Sequence, residues 1–358
     1  MTDCYPLFRA DVALRFLTAV PSGMRSAVLL AMLAHAATGH ADSSVVVTLN
    51  SEGEQLASQL GLSIPALIES AKVKIDELYK VSRLGNLLRA VGDTTAFAQR
   101  GLGVDYDPDP GDILFGTSAG GIKGDVAIGT TNELLGSSIV NFAVMSGVNL
   151  GRWQHPRWTV FASGFYESTT IHDLDGSLLT LGAHAQYRIV PPTRPGRVRW
   201  TGLSGTTGLE YAAWTMGTAT GGSIESHFTA QGPDAFKTVH MSSTGTLDVN
   251  TTTVTVPLEL TTGVRFGGTL VFYGGGGLDL TAGSSTIVAQ LDSVLSVNVE
   301  QLPVGTAVIT GSDSSSPSAV SVHGLVGFEV HTRHVRVAFQ GVFGQGEIAV
   351  NLGLRLAL

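Results

Sequence analysis

The sequence predicts an all-β fold with a helical N-terminal segment, in which about twelve antiparallel strands close into an up-and-down barrel. Two observations predict it. From about residue 122 to the C-terminus, apolar and polar residues alternate with a period of two, which is typical of strands with one apolar face. Most of the alternating segments run for roughly 9–14 residues, whereas strands of soluble proteins average about five or six. Ten or fourteen strands are the alternative counts.

The last strand shows the alternation most clearly. In EIAVNLGLRLAL, residues 347–358, every second residue is aliphatic, from Ile348 to Leu358. The intervening residues include Glu347, Asn351 and Arg355, so a slip of one residue would exchange the two faces. At about 1.5–3 kcal/mol per side chain, the aliphatic face favours an apolar environment by roughly 10–15 kcal/mol as an upper estimate. The register of this strand is therefore strongly specified.

A soluble β-sandwich would show the same alternation, because each of its sheets has one buried face. Strand length favours a membrane barrel, since a tilted membrane strand needs about 9–11 residues. The non-apolar faces are rich in Thr, Gly and Gln with scattered charges of both signs, as a hydrated lumen requires. In lipid every backbone polar group must be paired, so such a sheet has to close on itself. These features favour the transmembrane barrel.

The predicted barrel occupies residues 122–358. Its strands are assigned to 122–129, 137–150, 157–167, 178–190, 197–216, 239–249, 253–266, 269–280, 285–299, 318–330, 335–343 and 347–358. Short connections then fall at one end of the barrel, at 151–156, 191–196, 250–252, 281–284 and 331–334. Long polar connections fall at the other end, as in membrane barrels with an even strand number.

Over residues 122–358 the chain resembles bacterial outer-membrane β-barrel proteins, and residues 347–358 resemble their β-signal. The resemblance implies a location in the outer membrane of a Gram-negative cell. It also implies two partners, outer-membrane lipid and the barrel-assembly machinery. The first functional expectation is a porin-like passive pore for transport of small solutes. The alternatives are a structural or adhesive surface barrel with a closed lumen and an outer-membrane lipid hydrolase.

The amino end has the features of an export signal. Met24 and Arg25 supply a start and a positive charge, AVLLAMLAHAA follows with the length of an h-region, and small residues precede a cleavage site after Ala41. Residues 1–23 are then a dispensable extension. Cys4, the only cysteine of the sequence, lies within it, so the mature chain is expected to contain no disulfide and no thiolate site.

Residues 42–104 are predicted to be a helical segment. Apolar residues recur at helical spacing after Ser63, a suitable N-cap, and a second helix is expected over 84–99. The two helices could pair in the periplasm, or the first could plug the barrel. Residues 105–121 are predicted to be an acidic Pro/Gly linker exposed to solvent. Its segment DYDPDPGD resembles the start of a calcium loop but lacks the glutamate that such a loop has at its twelfth position.

Inward-facing polar residues are the candidate functional residues. The set expected to line the lumen is His184, Arg188, Glu259, Arg265, Glu329, Arg336, Glu347 and Arg355. These side chains could select solutes, or they could pair with one another and close the lumen. No catalytic, cofactor or metal site is predicted. His172 and His323 lack a G-x-S-x-G or H-E-x-x-H context, and His331 and His334 in a short turn offer only two ligands for a metal ion. The net charge of −8 and the lack of a basic stripe argue against nucleic-acid binding.

Overall fold

The structure is a computed structural model that describes residues 42–79, 84–109, 112–128, 133–171, 174–193, 196–218, 223–231, 236–297 and 302–358. The predicted signal peptide and His172 lie outside these residues. The described helices are α1 (Ser51–Gln59), α2 (Ile64–Tyr79) and α3 (Leu84–Phe97), with a short 3₁₀ helix at Leu150–Trp153. Among these helices, none is long and apolar enough to cross a membrane. The described strands are β1 (Asp42–Leu49), β2 (Ile113–Ile128), β3 (Glu133–Asn149), β4 (Trp158–Ile171), β5 (Leu174–Val190), β6 (Val198–Thr218), β7 (Ser223–Gln231), β8 (Phe236–Phe266), β9 (Leu270–Val297), β10 (Leu302–Ser315), β11 (Val320–His331), β12 (Val335–Phe343) and β13 (Glu347–Ala357).

Ten of the described strands close into an antiparallel ring. Their order is β9, β11, β12, β13, β2, β3, β4, β5, β6 and β8, and β8 pairs back with β9. The C-terminal strand β13 pairs with β2, the first strand of the ring in the sequence. This pairing leaves neither strand with an open edge. The predicted fold class is confirmed, with ten strands in the ring, which is one of the two alternative counts.

The prediction of twelve strands was wrong because two strands are longer than expected. The segments 250–252 and 281–284 are not turns: β8 runs for 31 residues and β9 for 28 residues through them. β8 and β9 pair continuously along their length, from Phe266 opposite Leu270 to Val239 opposite Val297. Four predicted strands are therefore two. The barrel also begins earlier than predicted, because residues 113–121 belong to β2 and not to a linker.

Where β8 and β9 extend beyond the ring they form a second sheet, in the order β1, β10, β9, β8, β7. Helices α1 and α2 cover one face of this sheet, and we call sheet and helices together the lobe. Gly53 of α1 allows close packing, because a Cβ there would lie 2.1 Å from the carbonyl oxygen of Val304. The apolar core of the lobe consists of Val47, Leu56, Ala57, Leu60, Leu67, Ala71, Ile75, Phe228, Ala230, Val239, Met241, Leu291, Leu295, Val297, Val304, Ala307 and Ile309.

The two ends of the ring differ. At one end, which we call the near end, the backbone N–H of Leu358 donates to the carbonyl oxygen of Ile113 (2.9 Å), so the C-terminus meets the start of β2. The short turns 267–269 and 332–334 lie at the same end, because the backbone N–H of His331 donates to Thr269. The turn 344–346 and the lobe lie at the opposite end, the far end.

The outer face of the ring is apolar. In β13 every second side chain from Ile348 to Leu356 is about half exposed, while the alternate residues from Ala349 to Ala357 are buried. Close to the near end, aromatic rings on neighbouring strands form a row. The ring centroids of Phe272 and Phe328 are 6.3 Å apart, and those of Phe328 and Phe339 are 5.6 Å apart. An apolar band with an aromatic row at its border is the arrangement that suits a bilayer.

Candidate functional site

The lumen of the ring is occupied by the chain itself. Helix α3 contacts β2, β3, β6, β8 and β9, and residues 98–109, which we call the plug, continue towards the near end, where β2 begins. Two glycines allow the plug to turn close to the wall, since Gly101 and Gly103 have φ angles of +76° and +79°. A Cβ on Gly101 would lie 2.5 Å from the side chain of Gln340. Larger residues would be strained at both positions.

In the near half of the lumen, aspartates of the plug pair with arginines of the wall. Arg336 Nη1 lies 2.6 Å from Asp105 Oδ2. Arg265 Nη2 lies 2.6 Å from Asp107 Oδ2. Asp109 is within 3.3 Å of both arginines. Because the pairing is charged and hydrogen-bonded, each interaction is stronger than a neutral hydrogen bond.

Wall arginines also bind the plug backbone. Arg355 Nη2 donates to the carbonyl oxygen of Val104 (2.7 Å), while its Nη1 pairs with Glu329 at 3.0 Å. Arg188 Nη2 donates to the carbonyl oxygen of Pro108 (2.8 Å). These contacts fix the path of the plug as well as its charges.

In the far half of the lumen the charge arrangement is reversed, with a cation on the plug and acids on the wall. Arg100 pairs with Glu210 and with Asp279, whose Oδ2 lies 2.9 Å from Arg100 Nε. Asp279 Oδ2 is also 2.8 Å from His323 Nδ1, and His323 Nε2 is 3.2 Å from Glu259. The far half is thus held by one buried network that links plug and wall.

Burial of the charged side chains in both halves closes the lumen. Arg100, Asp105, Asp279, Glu329 and Arg336 are each at most 3 % exposed, whereas side chains lining an aqueous channel would be open to water. A cavity of about 120 Å³ at the far end lies between α3, β9, β13 and the loop before β11. A second, of about 110 Å³, lies near Arg265 at the near end. Both are the size of a few water molecules.

At the far end, α3 is tied through Asp93 to the loop before β11. Its carboxylate accepts hydrogen bonds from the backbone N–H of Ser318 (2.5 Å) and from the Ser318 hydroxyl (3.0 Å). Burial raises the pKa of Asp93, although these hydrogen bonds oppose the rise. The contact fixes α3 at the place where it enters the lumen.

The structure brings the eight predicted lumen residues to the inner face, most of them in contact with the plug or its partners. Arg188, Arg265, Arg336 and Arg355 bind the plug directly. The acids Glu259 and Glu329 lie beside Tyr106 and Arg355, His184 Nε2 is 3.7 Å from Glu210, and Glu347 borders the far cavity.

The functional residues that the sequence did not reveal are those of the plug and its far-half partners. Asp105 and Asp107 were predicted to be part of a solvated linker, and this was wrong because both are buried against wall arginines. The signal that could have found them is their spacing of two residues, which matches a row of inward-facing arginines on separate strands. Arg100 and Asp279 carried no comparable signal.

The histidines do not form a metal site with the described side chains. Within the described part of the chain, no three His, Cys, Asp or Glu side chains converge in a way that could hold a metal ion. His331 Nε2 lies 3.0 Å from Glu329, and His334 Nδ1 lies 3.4 Å from the carbonyl oxygen of Ala357. Ser321 contacts Asp279 at 3.5 Å, and His323 is occupied by two carboxylates.

The fold and the lumen define a closed ten-stranded β-barrel that is sealed by its own N-terminal region and continues into a lobe at one end. The chain belongs to the Lsa36-like family, whose model matches residues 40–358. No curated protein relative matches the chain.

The solved structures that are similar to part of this chain include outer-membrane barrels. The translocator domain of the autotransporter NalP from Neisseria meningitidis is 12 % identical with a TM-score of 0.31, covering 78 % of this chain and 97 % of that one. Ail, the attachment invasion locus protein of Yersinia pestis, is 11 % identical with a TM-score of 0.21 (58 % and 99 % covered). The toluene transporter TodX of P. putida is 9 % identical with a TM-score of 0.24 (76 % and 94 % covered). Because these values are low, barrel closure rests on the strand pairing described above.

Proposed function

We propose that this chain is a bacterial outer-membrane β-barrel with a sealed lumen, whose function is to anchor the lobe at the cell surface. The apolar outer face and the aromatic row support the membrane location. The observation that carries the proposal is the buried plug, because its charges are paired with the wall from the far half of the lumen to the near half.

A passive pore is supported less well by this geometry. Small solutes would have to displace a segment that is held by several buried ion pairs, and removing one partner of such a pair costs about 3–5 kcal/mol. Spontaneous opening is therefore rare. A lipid hydrolase has no support from the described side chains, since the buried His323 is bound by Asp279 and Glu259 and has no free hydroxyl nucleophile beside it.

The orientation follows from the position of the lobe, because short turns occur at both ends, such as 267–269 at the near end and 344–346 at the far end. Outer-membrane barrels have short periplasmic turns and longer extracellular elements. The near end carries the short turns 267–269 and 332–334 and would face the periplasm, whereas the lobe at the far end would face outward. The predicted periplasmic position of the first helices is therefore replaced by an outer one in this proposal.

The test is conductance in planar lipid bilayers. We expect the purified protein to be silent, and the double variant Asp105→Asn, Asp107→Asn to conduct, because two wall arginines lose their partners and the plug loosens. Asp292→Asn, an exposed carboxylate of the lobe, is the matched control and should stay silent. Steady conductance of the unaltered protein would favour the passive pore instead.

A further inference from the structure

The path of the chain has a consequence for how the lobe reaches its position. Residues 42–79 belong to the lobe at the far end, α3 and the plug run through the lumen, and β2 starts at the near end. The described chain therefore passes once through the barrel before it becomes the barrel wall. The direction of this passage, from the periplasm outward, rests on the proposed function, in which the near end faces the periplasm.

The N-terminal segment cannot complete its fold on the periplasmic side. The lobe core joins residues of 42–79, such as Val47, Leu60 and Ile75, to residues of β7–β10, such as Met241 and Leu295. The second group extends from the far end of the barrel strands. Burial of these side chains, which provides most of the stability of so small a unit, is thus available only after the segment has arrived at the far side.

The lumen limits the form in which the segment can pass. A ten-stranded ring with ordinary strand spacing and tilt has a backbone radius of roughly 10 Å. After inward side chains are included, the free width admits about one helix, whose diameter with side chains is about 10–12 Å. Helix α3 occupies that space in the finished protein. A folded lobe is much wider and does not fit.

We propose that residues 42–79 cross the outer membrane through their own barrel as an unfolded or singly helical chain and fold outside against β7–β10. Helix α3 and the plug then occupy the lumen behind them. The ion pairs of Arg100, Asp105 and Asp107 form last and hold the chain in place. The barrel is on this view a device that exports and displays its own N-terminal segment.

The first experiment is cysteine labelling of intact cells with a membrane-impermeant maleimide. In a Cys4→Ser background the chain has no cysteine, so single cysteines can be introduced one at a time. Val73→Cys is on the exposed side of α2, Gln290→Cys is on the lobe part of β9, and Arg333→Cys is in a near-end turn. We expect Val73→Cys and Gln290→Cys to be labelled equally, and Arg333→Cys to be labelled only after the outer membrane is permeabilised.

The outcomes separate this inference from the function on which it rests. Labelling of Gln290→Cys without Val73→Cys would leave a surface barrel but overturn export of the N-terminal segment. Labelling of Arg333→Cys in intact cells without the other two would overturn the orientation, and with it the inference. Absence of the protein from the outer-membrane fraction would overturn the proposed function itself.

The second experiment tests the route. A rapidly folding, cysteine-free domain wider than the lumen is fused ahead of Asp42, and a destabilised variant of the same domain is the matched control. We expect the folded fusion to abolish labelling of Val73→Cys in intact cells while Gln290→Cys remains labelled, and the destabilised fusion to restore it. Equal labelling of Val73→Cys with both fusions would overturn passage as an unfolded chain.

Discussion

The barrel and the lobe share the same two strands but use them in opposite ways. Along β8 the buried side chains occupy odd-numbered positions on a single face, in the lobe and in the barrel. In the lobe these positions hold Val239, Met241 and Ser243, and Val249 packs beside Leu88 of α3 at the boundary. In the barrel they hold Thr251, Thr253, Thr255, Glu259, Thr261 and Arg265. The buried face is therefore mainly apolar in one region, where Ser243 pairs with Ser293, and polar in the other.

The reversal has a physical cause in what surrounds each region. In water, apolar side chains favour the inside of a sheet, whereas in lipid they favour the outside and the lumen takes the polar groups. The change occurs at the same level on both strands, because Val249 pairs with Ile287 and Thr251 with Ser285. This level marks the border of the proposed membrane region on the side of the far end.

The largest effect is expected from the polar interior of the barrel. Arg336→Met removes the partner of Asp105 and leaves a carboxylate buried without its cation, which should lower the free energy of unfolding by about 3–5 kcal/mol. Urea unfolding of the protein refolded into lipid vesicles measures it. Arg333→Met, at an exposed near-end turn, is the matched control and should change little. An equal loss in both variants would mean that the inner ion pairs do not stabilise the barrel.

The apolar interior of the lobe should respond separately. Leu291→Ala creates a cavity in the lobe core and should cost about 2–5 kcal/mol. We expect faster proteolysis of the lobe, with the heat-dependent gel mobility of the barrel unchanged. Val294→Ala, on the exposed face of the same strand, is the control for loss of side-chain volume. Simultaneous loss of barrel mobility would show that the two regions unfold as one unit.

A third prediction uses the outer faces. Leu260→Arg places a charge on the apolar outer face of the barrel and should cost about 2–4 kcal/mol in lipid vesicles. Thr246→Arg places the same charge on the outward face of the lobe part of β8, where it should change stability by no more than about 0.5 kcal/mol. Similar costs at both positions would contradict a membrane border between them.

How much of this the sequence could predict depends on the range of the interactions. Alternation at period two predicted the closed barrel and the inward position of residues such as Arg265 and Arg355, because facing within a strand is a local property. The segment 250–252, where the buried face of β8 changes from apolar to polar, was predicted to be a turn. A strand that continues from one environment into another has no sequence pattern that distinguishes it from two strands joined by a turn. The plug was missed because Asp107 and Arg265 are separated by 158 positions, and the spacing of the plug aspartates does not by itself identify their partners on distant strands.

The smallest effect is expected at the tip of the lobe, where α1 begins. The Asn50 side chain accepts a hydrogen bond from the backbone N–H of Gly53 (2.9 Å) and donates to the carbonyl oxygen of Pro303 (2.9 Å), so it caps the helix and ties it to β10. Asn50→Ala should destabilise the lobe by about 1 kcal/mol, seen as faster amide exchange in α1.

Ser63→Ala is the comparison for that variant. The Ser63 hydroxyl lies 3.4 Å from the Ala66 nitrogen, a longer contact than the 2.9 Å between Asn50 and Gly53, so its removal should have a smaller effect on exchange in α2. Because a cap acts locally, neither variant should alter amide exchange in the barrel strands. If Asn50→Ala accelerated exchange in β12 and β13 as well, the lobe would have to support the barrel, and the independence of the two regions would be lost.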